Sequence, residues 1–406
     1  MEINHVPTSK HKTQRDMLLE LTAISGEYPA DNLHLITTTE SYGKKVITTL
    51  TGDKLIKIIY KSGLRGYKLA PRGKRKLLEE NPARFEDYLV GEVETNRVKT
   101  IHTRRLRLHA MAQVYTLLYK AGVEIFKDIK PDIFNHTSAV SSSQPYNGPS
   151  AHGTPGGLTQ TIGNLTQLSA GYQITTPCFY SSREFRRGDG EAAKPNTIRG
   201  SRAAGALLTP TNVYAVYNTG NTHVRWGDKV EQRLRAEIQS NICRRLFPNQ
   251  YSGIEVSGIL MGASMDSLWN YLDVKAKQQA GYHFIYSSYK SFYFITNDSY
   301  GETQLRLLID DSKGMEVRKT LMTKLYPPDI KHSIEHDALT EDGTPVLFCY
   351  LLDMPRLIRF RNGLELQGKV GKFIAFDFQK EVLCRFLGKE VDYVELNYEK
   401  FVMRFF

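Results

Sequence analysis

Two short strand patterns joined by a glycine turn, placed directly after helical patterns, restrict the fold of this chain more than any other feature. The strand patterns "KLIKIIY" and "GYKLA" flank the turn "KSGLRG" and predict a β-hairpin. The segments before it, "KTQRDMLLELTAIS", "YPADNLHLI" and "ESYGKKVITTL", carry apolar residues at helical spacing or helix-start residues. A fourth helix is expected to begin at Pro71.

This order of elements predicts an N-terminal winged helix-turn-helix domain over residues 1–82, with the third helix as the recognition helix and the hairpin as the wing. Residues 83–137 are predicted to form a helical connector. Residues 138–170 are rich in Ser, Gly and Pro and are predicted to be a flexible loop. Over residues 171–406, strand patterns alternate with helical patterns, which is typical of a mixed α/β domain. The expected fold class is therefore α/β, or α+β for the chain as a whole.

Positive charge is concentrated in the predicted winged-helix domain. Eleven Lys or Arg residues lie between Lys44 and Lys76, and Asp53 is the single acid among them. The stretch therefore carries a charge of +10, whereas the whole chain carries +11. Because the excess is local, it indicates a binding surface for a polyanion better than it indicates general solubility.

The predicted contacts to duplex DNA come from three consecutive elements. Tyr42, Val46 and Leu50 repeat at helical spacing in the third helix and are expected to face the core. The outward face of that helix, the hairpin and the helix after it supply the candidate DNA-binding residues, which are Ser41, Lys44, Lys45, Thr48, Lys61, Arg65, Lys68, Arg72, Lys74 and Arg75. A solvated basic face and a winged-helix protein–protein adaptor are the alternative interpretations.

Acidic residues at the predicted strand ends raise the alternative of a metal-dependent nuclease. Asp353 and Asp377 each follow a strand pattern, and with Glu255 they are weak candidates for a catalytic metal site. Restriction-like nucleases place Glu-x-Lys on the second strand of a hairpin, where this chain has "YNT" at residues 217–219. Aspartates that cap helices explain the pattern more simply. We therefore expect a protein that is not an enzyme and that uses no metal or cofactor.

Two further catalytic patterns are weak. A relaxase would need a nucleophilic tyrosine beside a metal-binding His-x-His motif, and the chain contains no His-x-His. His332, Glu335 and His336 match the spacing of an inverted zincin motif. They follow "YPPDI" in a predicted polar loop or short helix, whereas a metalloprotease needs both histidines on one helix face.

Cysteine usage and hydropathy indicate the compartment. The four cysteines, Cys178, Cys243, Cys349 and Cys384, match no zinc or disulfide spacing, which indicates a reduced intracellular chain with buried thiols. The chain contains no run of about 18 apolar residues, so no membrane span is expected. The expected localisation is cytoplasmic.

With these patterns the chain resembles the replication-relaxation family of plasmids and integrative conjugative elements. The matching segments are "TQRDMLLELTAISGEYPADNLHLI", "ESYGKKVITTL", "GYKLAPRGKRKLLE", "SRAAGALLTPTNVYAVYNTG" and "KFIAFDFQKEVLCRF". The resemblance implies a DNA-binding accessory protein or regulator in the replication or conjugative transfer of a mobile genetic element. A metal-dependent nuclease or relaxase of the same element is the alternative. The resemblance also implies a degenerate restriction-nuclease-like fold for the second domain.

The resemblance assigns DNA contacts to Lys44, Lys45, Lys61, Arg65 and Lys68. The expected partners are double-stranded DNA and a relaxase or replication initiator of the same element. A second copy of the chain is a further expected partner, because the sites that winged helices read are often two-fold. No membrane partner is expected.

Overall fold

The computed structural model describes the chain with gaps, namely over residues 13–91, 94–97, 101–133, 173–187, 201–220, 228–272, 288–329 and 333–406. The predicted flexible loop over residues 138–170 lies outside them. The chain divides into two compact units. Residues 1–120 with 126–128 form the first unit, and residues 121–125 with 129–406 form the second.

The first unit, where the structure describes it, combines five α-helices with a small antiparallel sheet. The elements in chain order are α1 (Gln14–Ser25), β1 (Tyr28–Pro29), a 3-10 helix (Ala30–Leu35), α2 (Glu40–Gly52), β2 (Ile56–Lys61), β3 (Leu64–Leu69), α3 (Pro71–Glu80), α4 (Pro82–Leu89) and α5 (His102–Lys120). The strands lie in the order β1-β3-β2, and β2 and β3 form the predicted hairpin.

Strand β1 was not predicted, because the sequence around it was interpreted as helix alone. Tyr28 and Pro29 pair with β3, and Pro29 is tolerated because β1 is an edge strand. The chain then forms a 3-10 helix rather than the expected α-helix. Gly26 ends α1, adopts a left-handed backbone with φ of 86° and so redirects the chain into β1.

Helix α2 packs on the core with a face that differs from the prediction at one position. Val46 and Leu50 are buried as predicted, together with Gly43 and Ile47. Tyr42, which was expected in the core, is 41 % exposed. A Cβ at Gly43 would lie 2.9 Å from a threonine hydroxyl oxygen of the preceding turn, so α2 approaches that turn most closely at its glycine. This close approach turns Tyr42 outward.

A buried carboxylate lies at the centre of the first unit. Glu27 is fully buried, and both of its oxygens accept hydrogen bonds from Nε of Arg105, at 3.0 and 3.2 Å. Nε2 of His109 lies 2.9 Å from one oxygen, and Nζ of Lys68 lies 3.9 Å from the other. Burial acts to raise the pKa of Glu27, but hydrogen bonds from His109 and Arg105 outweigh it and hold that pKa below its ordinary value.

Arg105 also ties helix α5 to the hairpin turn. Its guanidinium donates hydrogen bonds to the backbone carbonyls of Lys61 at 2.6 Å and of Leu64 at 3.2 Å. The two residues between them, Ser62 and Gly63, have φ of 54° and 75°, as the tightest hairpin turns require. Hydrogen bonds from the buried guanidinium of Arg105 therefore stabilise the turn, in addition to the backbone conformation of the turn itself.

The second unit, where the structure describes it, alternates helices and strands. In chain order the elements are β4 (Cys178–Ser181), α6 (Ser182–Arg187), β5 (Ala203–Leu208), β6 (Val213–Gly220), α7 (Asp228–Glu237) with a π-helical continuation (Ile238–Leu246), α8 (Pro248–Tyr251), β7 (Ser257–Gly262), α9 (Met265–Leu272), β8 (Phe292–Thr296), α10 (Ser299–Ile309), α11 (Asp311–Leu321), β9 (Ala338–Leu339), β10 (Pro345–Phe348), α12 (Met354–Gln367), β11 (Gly371–Phe376), α13 (Lys380–Leu387), β12 (Val391–Leu396) and α14 (Tyr398–Phe405). The predicted mixed α/β character is confirmed.

Two sheets share the core of the second unit. One has the order β4-β5-β6-β7-β8, antiparallel as far as β6 and parallel beyond it. The other has the order β12-β11-β10-β9, in which only β9 is antiparallel. Leu260 and Phe294 from the first sheet and Leu347 and Phe373 from the second belong to one buried cluster. No helix in the described parts of the chain is long and apolar enough to cross a membrane.

We predict that replacing Glu27 with Gln weakens the attachment of the hairpin at neutral pH, because the change leaves buried cations without their carboxylate. The free energy of opening, measured by amide hydrogen exchange over residues 56–69, should fall by about 3 kcal/mol. The folded pKa of Glu27 is lowered, so its ionised form stabilises the fold above pH 4.5 and that contribution is lost below it. The difference between wild type and Glu27→Gln should therefore shrink below pH 4.5.

The matched control is Glu79→Gln, which changes an exposed acid of the same unit and should leave hairpin exchange unaltered. Equal exchange in wild type and Glu27→Gln at neutral pH would contradict a stabilising role for the buried carboxylate.

Candidate nucleic-acid interface

Helix α2 presents a polar and basic stripe to solvent. Ser41, Lys44, Lys45 and Thr48 are all exposed, as predicted, and their spacing of i, i+3, i+4 and i+7 places them on one face. Thr39 fixes the start of the helix by accepting a hydrogen bond from a backbone N–H of the first turn at 3.2 Å. The stripe is therefore carried by a capped helix whose opposite face is buried.

The hairpin adds further exposed cations next in the chain. Lys61 and Arg65 are exposed near the turn, as predicted. Lys57 and Tyr60 were not among the predicted contacts but are also exposed, and the exposed fraction of Tyr60 is 74 %. The run "KIIYK" lacks a clear alternation of apolar and polar residues, so the register with β3 was needed to show which side chains leave the core.

Lys68, in contrast, is not available to a ligand at the surface. Its side chain is 1 % exposed, and Nζ donates a hydrogen bond to the backbone carbonyl of Arg97 at 3.1 Å. Its ammonium lies beside Glu27 and belongs to the buried ionic cluster. The predicted DNA contact at Lys68 is therefore replaced by a structural role, because β3 turns this position toward the interior.

Helix α3 contributes a third group of basic side chains. Arg72 and Arg75 are exposed, as predicted. Lys74 is partly buried and forms an ion pair with Glu94, which reduces its capacity to bind a phosphate. The helix lies against the residue that precedes β2, since a Cβ at Gly73 would approach the backbone carbonyl oxygen of Leu55 to 2.2 Å. Arg72 and Arg75 add two exposed cations to the first unit.

Within the basic stretch little negative charge offsets this surface, and at its edge Glu40 forms an exposed ion pair with Lys44 at 2.7 Å. Eight of the eleven basic residues between Lys44 and Lys76 are exposed, and the sequence from Lys54 to Leu78 contains no acid. Asp53, the one acid of the stretch, is paired with Arg15. Charges of one sign on neighbouring elements produce a field that attracts polyanions, and exposed ion pairs weaken that field only slightly.

The acidic candidates for catalysis do not assemble into a site. Asp353 is 9 % exposed, accepts a hydrogen bond from the N–H of Phe292 at 3.2 Å, and has a pKa raised by burial. Asp377 is exposed and accepts a hydrogen bond from the N–H of Phe378 at 2.9 Å. The described residues include no group of three or more His, Cys, Asp or Glu side chains that could hold a metal ion. Asp353, Asp377 and Glu255 therefore do not form the metal site considered from the sequence.

Glu335, the acid of the inverted zincin pattern, forms ion pairs with two arginines. Glu335 accepts hydrogen bonds from Arg356 at 2.8 Å and Arg359 at 3.0 Å. Burial acts to raise the pKa of Glu335, but these two arginines outweigh it and lower that pKa. Nδ1 of His336 lies 2.7 Å from a backbone carbonyl oxygen, and His332 lies outside the described residues. The glutamate thus anchors helix α12.

Several nucleophilic side chains of the second unit are protected by burial. Tyr217 is fully buried, its hydroxyl lies 2.8 Å from that of Tyr289, and burial raises its pKa well above the ordinary value. Burial also raises the pKa of the Cys178 and Cys243 thiols to about 11. The predicted buried thiols are confirmed for these two cysteines and for Cys349, whereas Cys384 is only partly buried. None of these groups is activated for attack on a phosphodiester.

Comparison with known proteins adds no assignment. Searches among protein families, curated proteins and solved structures each found no match to this chain. The functional interpretation therefore depends on the exposed basic residues of the first unit, and the resemblance to the replication-relaxation family stays a prediction.

We predict that amine labelling separates the lysines of the basic stretch into two classes. Lys44, Lys45 and Lys61 should react rapidly. Lys68 should react at least roughly tenfold more slowly, because labelling it requires local opening of the fold. Mass spectrometry of the labelled peptides measures the rates, and denatured protein provides the control in which Lys68 reacts like the others. Rapid labelling of Lys68 in the folded protein would contradict its burial.

Proposed function

We propose that the first unit is a winged helix-turn-helix domain that binds double-stranded DNA. The protein would act as an accessory factor or regulator in the replication or conjugative transfer of a mobile genetic element. The observation that carries this proposal is the exposed basic stripe of α2, which is followed at once by an exposed basic hairpin. The order α1, 3-10 helix, α2, β2, β3 supports the winged-helix assignment.

The proposed docking places α2 in the major groove and the hairpin on the adjacent backbone. An α-helix fits a major groove of about 12 Å width. Ser41 and Thr48 can then donate or accept hydrogen bonds at base edges, and Lys44 and Lys45 can contact bases or phosphates. Lys61 and Arg65, from the hairpin, would neutralise phosphates beside the groove.

The two alternatives are less well supported by the same side chains. The concentration of exposed cations on α2 and the hairpin favours a polyanion over a protein partner, although Ile58 and Tyr60 also present apolar groups to solvent. A nuclease would need clustered acids, whereas Asp353 is buried and hydrogen-bonded. We therefore assign the second unit to partner binding, with a second copy of the chain or a relaxase or initiator as the partner.

We predict a steep salt dependence of duplex binding. If Lys44, Lys45, Lys61, Arg65, Arg72 and Arg75 neutralise roughly six phosphates, the slope of log affinity against log salt concentration should be about −5. The double change Lys61→Ala with Arg65→Ala should reduce the magnitude of that slope by about two. Fluorescence anisotropy of a labelled duplex over a salt series measures both slopes.

The matched control changes two exposed lysines of the second unit, Lys369→Ala with Lys389→Ala, which removes the same charge. This control should leave the slope unaltered. An equal loss in both double variants would show that net charge alone determines binding, and the interface assigned to the hairpin would then be wrong.

We also predict that the bound DNA is recovered intact. Incubation of a duplex and a single strand with the full chain and Mg²⁺ or Mn²⁺, followed by a denaturing gel, should show neither cleavage nor a covalent adduct. Metal-dependent cleavage that Asp353→Asn or Asp377→Asn abolishes would replace the accessory role with a nuclease activity.

A further inference from the structure

One face of the hairpin is buried at its base and exposed near the turn, where it carries an aromatic ring. Ile56, Ile58 and Tyr60 alternate along β2 and therefore share one face. Their exposed fractions rise toward the turn, from 2 % to 41 % to 74 %. The face that is buried at the base of the hairpin is therefore open at its end, and Tyr60 is its outermost apolar group.

A cation lies directly opposite the ring. In the antiparallel register Tyr60 pairs with Arg65, so both side chains stand on the same face, and both are exposed. Lys57 and Lys61 are exposed on the other face of the same strand. Since the sequence from Lys54 to Leu78 contains no acid, these cations favour an anionic ligand, and the exposed ring favours one that also presents a flat apolar surface. Nucleic-acid bases joined by phosphates have both properties.

The end of the hairpin is held in place before any ligand binds. Arg105 donates hydrogen bonds to the backbone carbonyls on either side of the turn, at Lys61 and Leu64, and its charge is neutralised by buried Glu27. A ring carried on such a support loses little conformational freedom on binding.

We propose that Tyr60 stacks on an unpaired base, so that the protein prefers DNA in which a duplex opens into single strands over a continuous duplex. This proposal rests on the DNA binding proposed above and names the form of DNA. In a continuous duplex both faces of each base are covered by its neighbours, and Tyr60 can reach only the backbone and the groove. At an opening, a base offers a free face beside phosphates that Lys61 and Arg65 can neutralise.

The test compares two labelled DNAs of identical paired sequence, a blunt duplex and a fork in which the duplex continues into two unpaired arms. The full chain should bind the fork roughly tenfold more tightly than the duplex, and Tyr60→Ala should remove most of that preference. Tyr60→Phe should retain it. The slope of log affinity against log salt should not change in Tyr60→Ala, because stacking releases no counterions, whereas Arg65→Ala should reduce it.

The matched control is Tyr326→Ala, since Tyr326 is 54 % exposed in the second unit and contacts Leu339 through its backbone, which alanine preserves. It should bind both DNAs as the wild type does. Equal affinity of the wild type for fork and duplex, or an equal loss on both DNAs in Tyr60→Ala, overturns the stacking role and leaves duplex binding intact. Binding to neither DNA at low salt overturns the proposed function and the stacking role together, and a protein partner for the hairpin then becomes the better interpretation.

Discussion

The buried ion pair between Glu27 and Arg105 is the contact on which the exposed basic hairpin of the first unit depends. These residues are 78 positions apart, so the pair joins the segment after α1 to helix α5. A Cβ at Gly66 would lie only 2.4 Å from Oε1 of Glu27, so β3 can lie against the carboxylate only because it has glycine there. Removing one member of such a pair leaves a buried charge without its partner, which destabilises a fold strongly. The orientation of the hairpin follows from this contact.

This arrangement separates structural charge from charge that faces solvent. Arg65 and Lys68 lie three residues apart on β3, yet Arg65 is exposed and Lys68 is buried beside Glu27. The basic stretch therefore serves two purposes, and a count of charges cannot distinguish them. The proposed DNA surface consists of the exposed cations, which do not pair with the buried carboxylate of Glu27.

Local patterns predicted most of the local structure. The helical spacing of Val46 and Leu50 and the turn "KSGLRG" were sufficient for α2 and the hairpin, because both form from neighbouring residues. The burial of Lys68 and the exposure of Tyr60 were not predictable in this way, since both depend on the register of β3, and Lys68 also depends on its contacts with Glu27 and Arg97. Strand β12 was missed because it lies at a sheet edge, with polar residues in most of its exposed positions.

The second unit uses its polar groups to hold its own architecture. Glu335 and Asp337 bind Arg356 on α12, and Asp353 accepts a hydrogen bond at the edge of β8. These contacts join the two sheets to one shared core. These three acids are thus engaged in contacts within the fold.

The most direct test of the DNA-binding surface is amine labelling with and without duplex DNA. We expect DNA to slow the labelling of Lys44, Lys45 and Lys61, while Lys369 and Lys389 in the second unit react at unchanged rates. Unchanged labelling of the first three lysines under conditions of saturated binding, or protection confined to the second unit, would show that DNA does not bind to this surface.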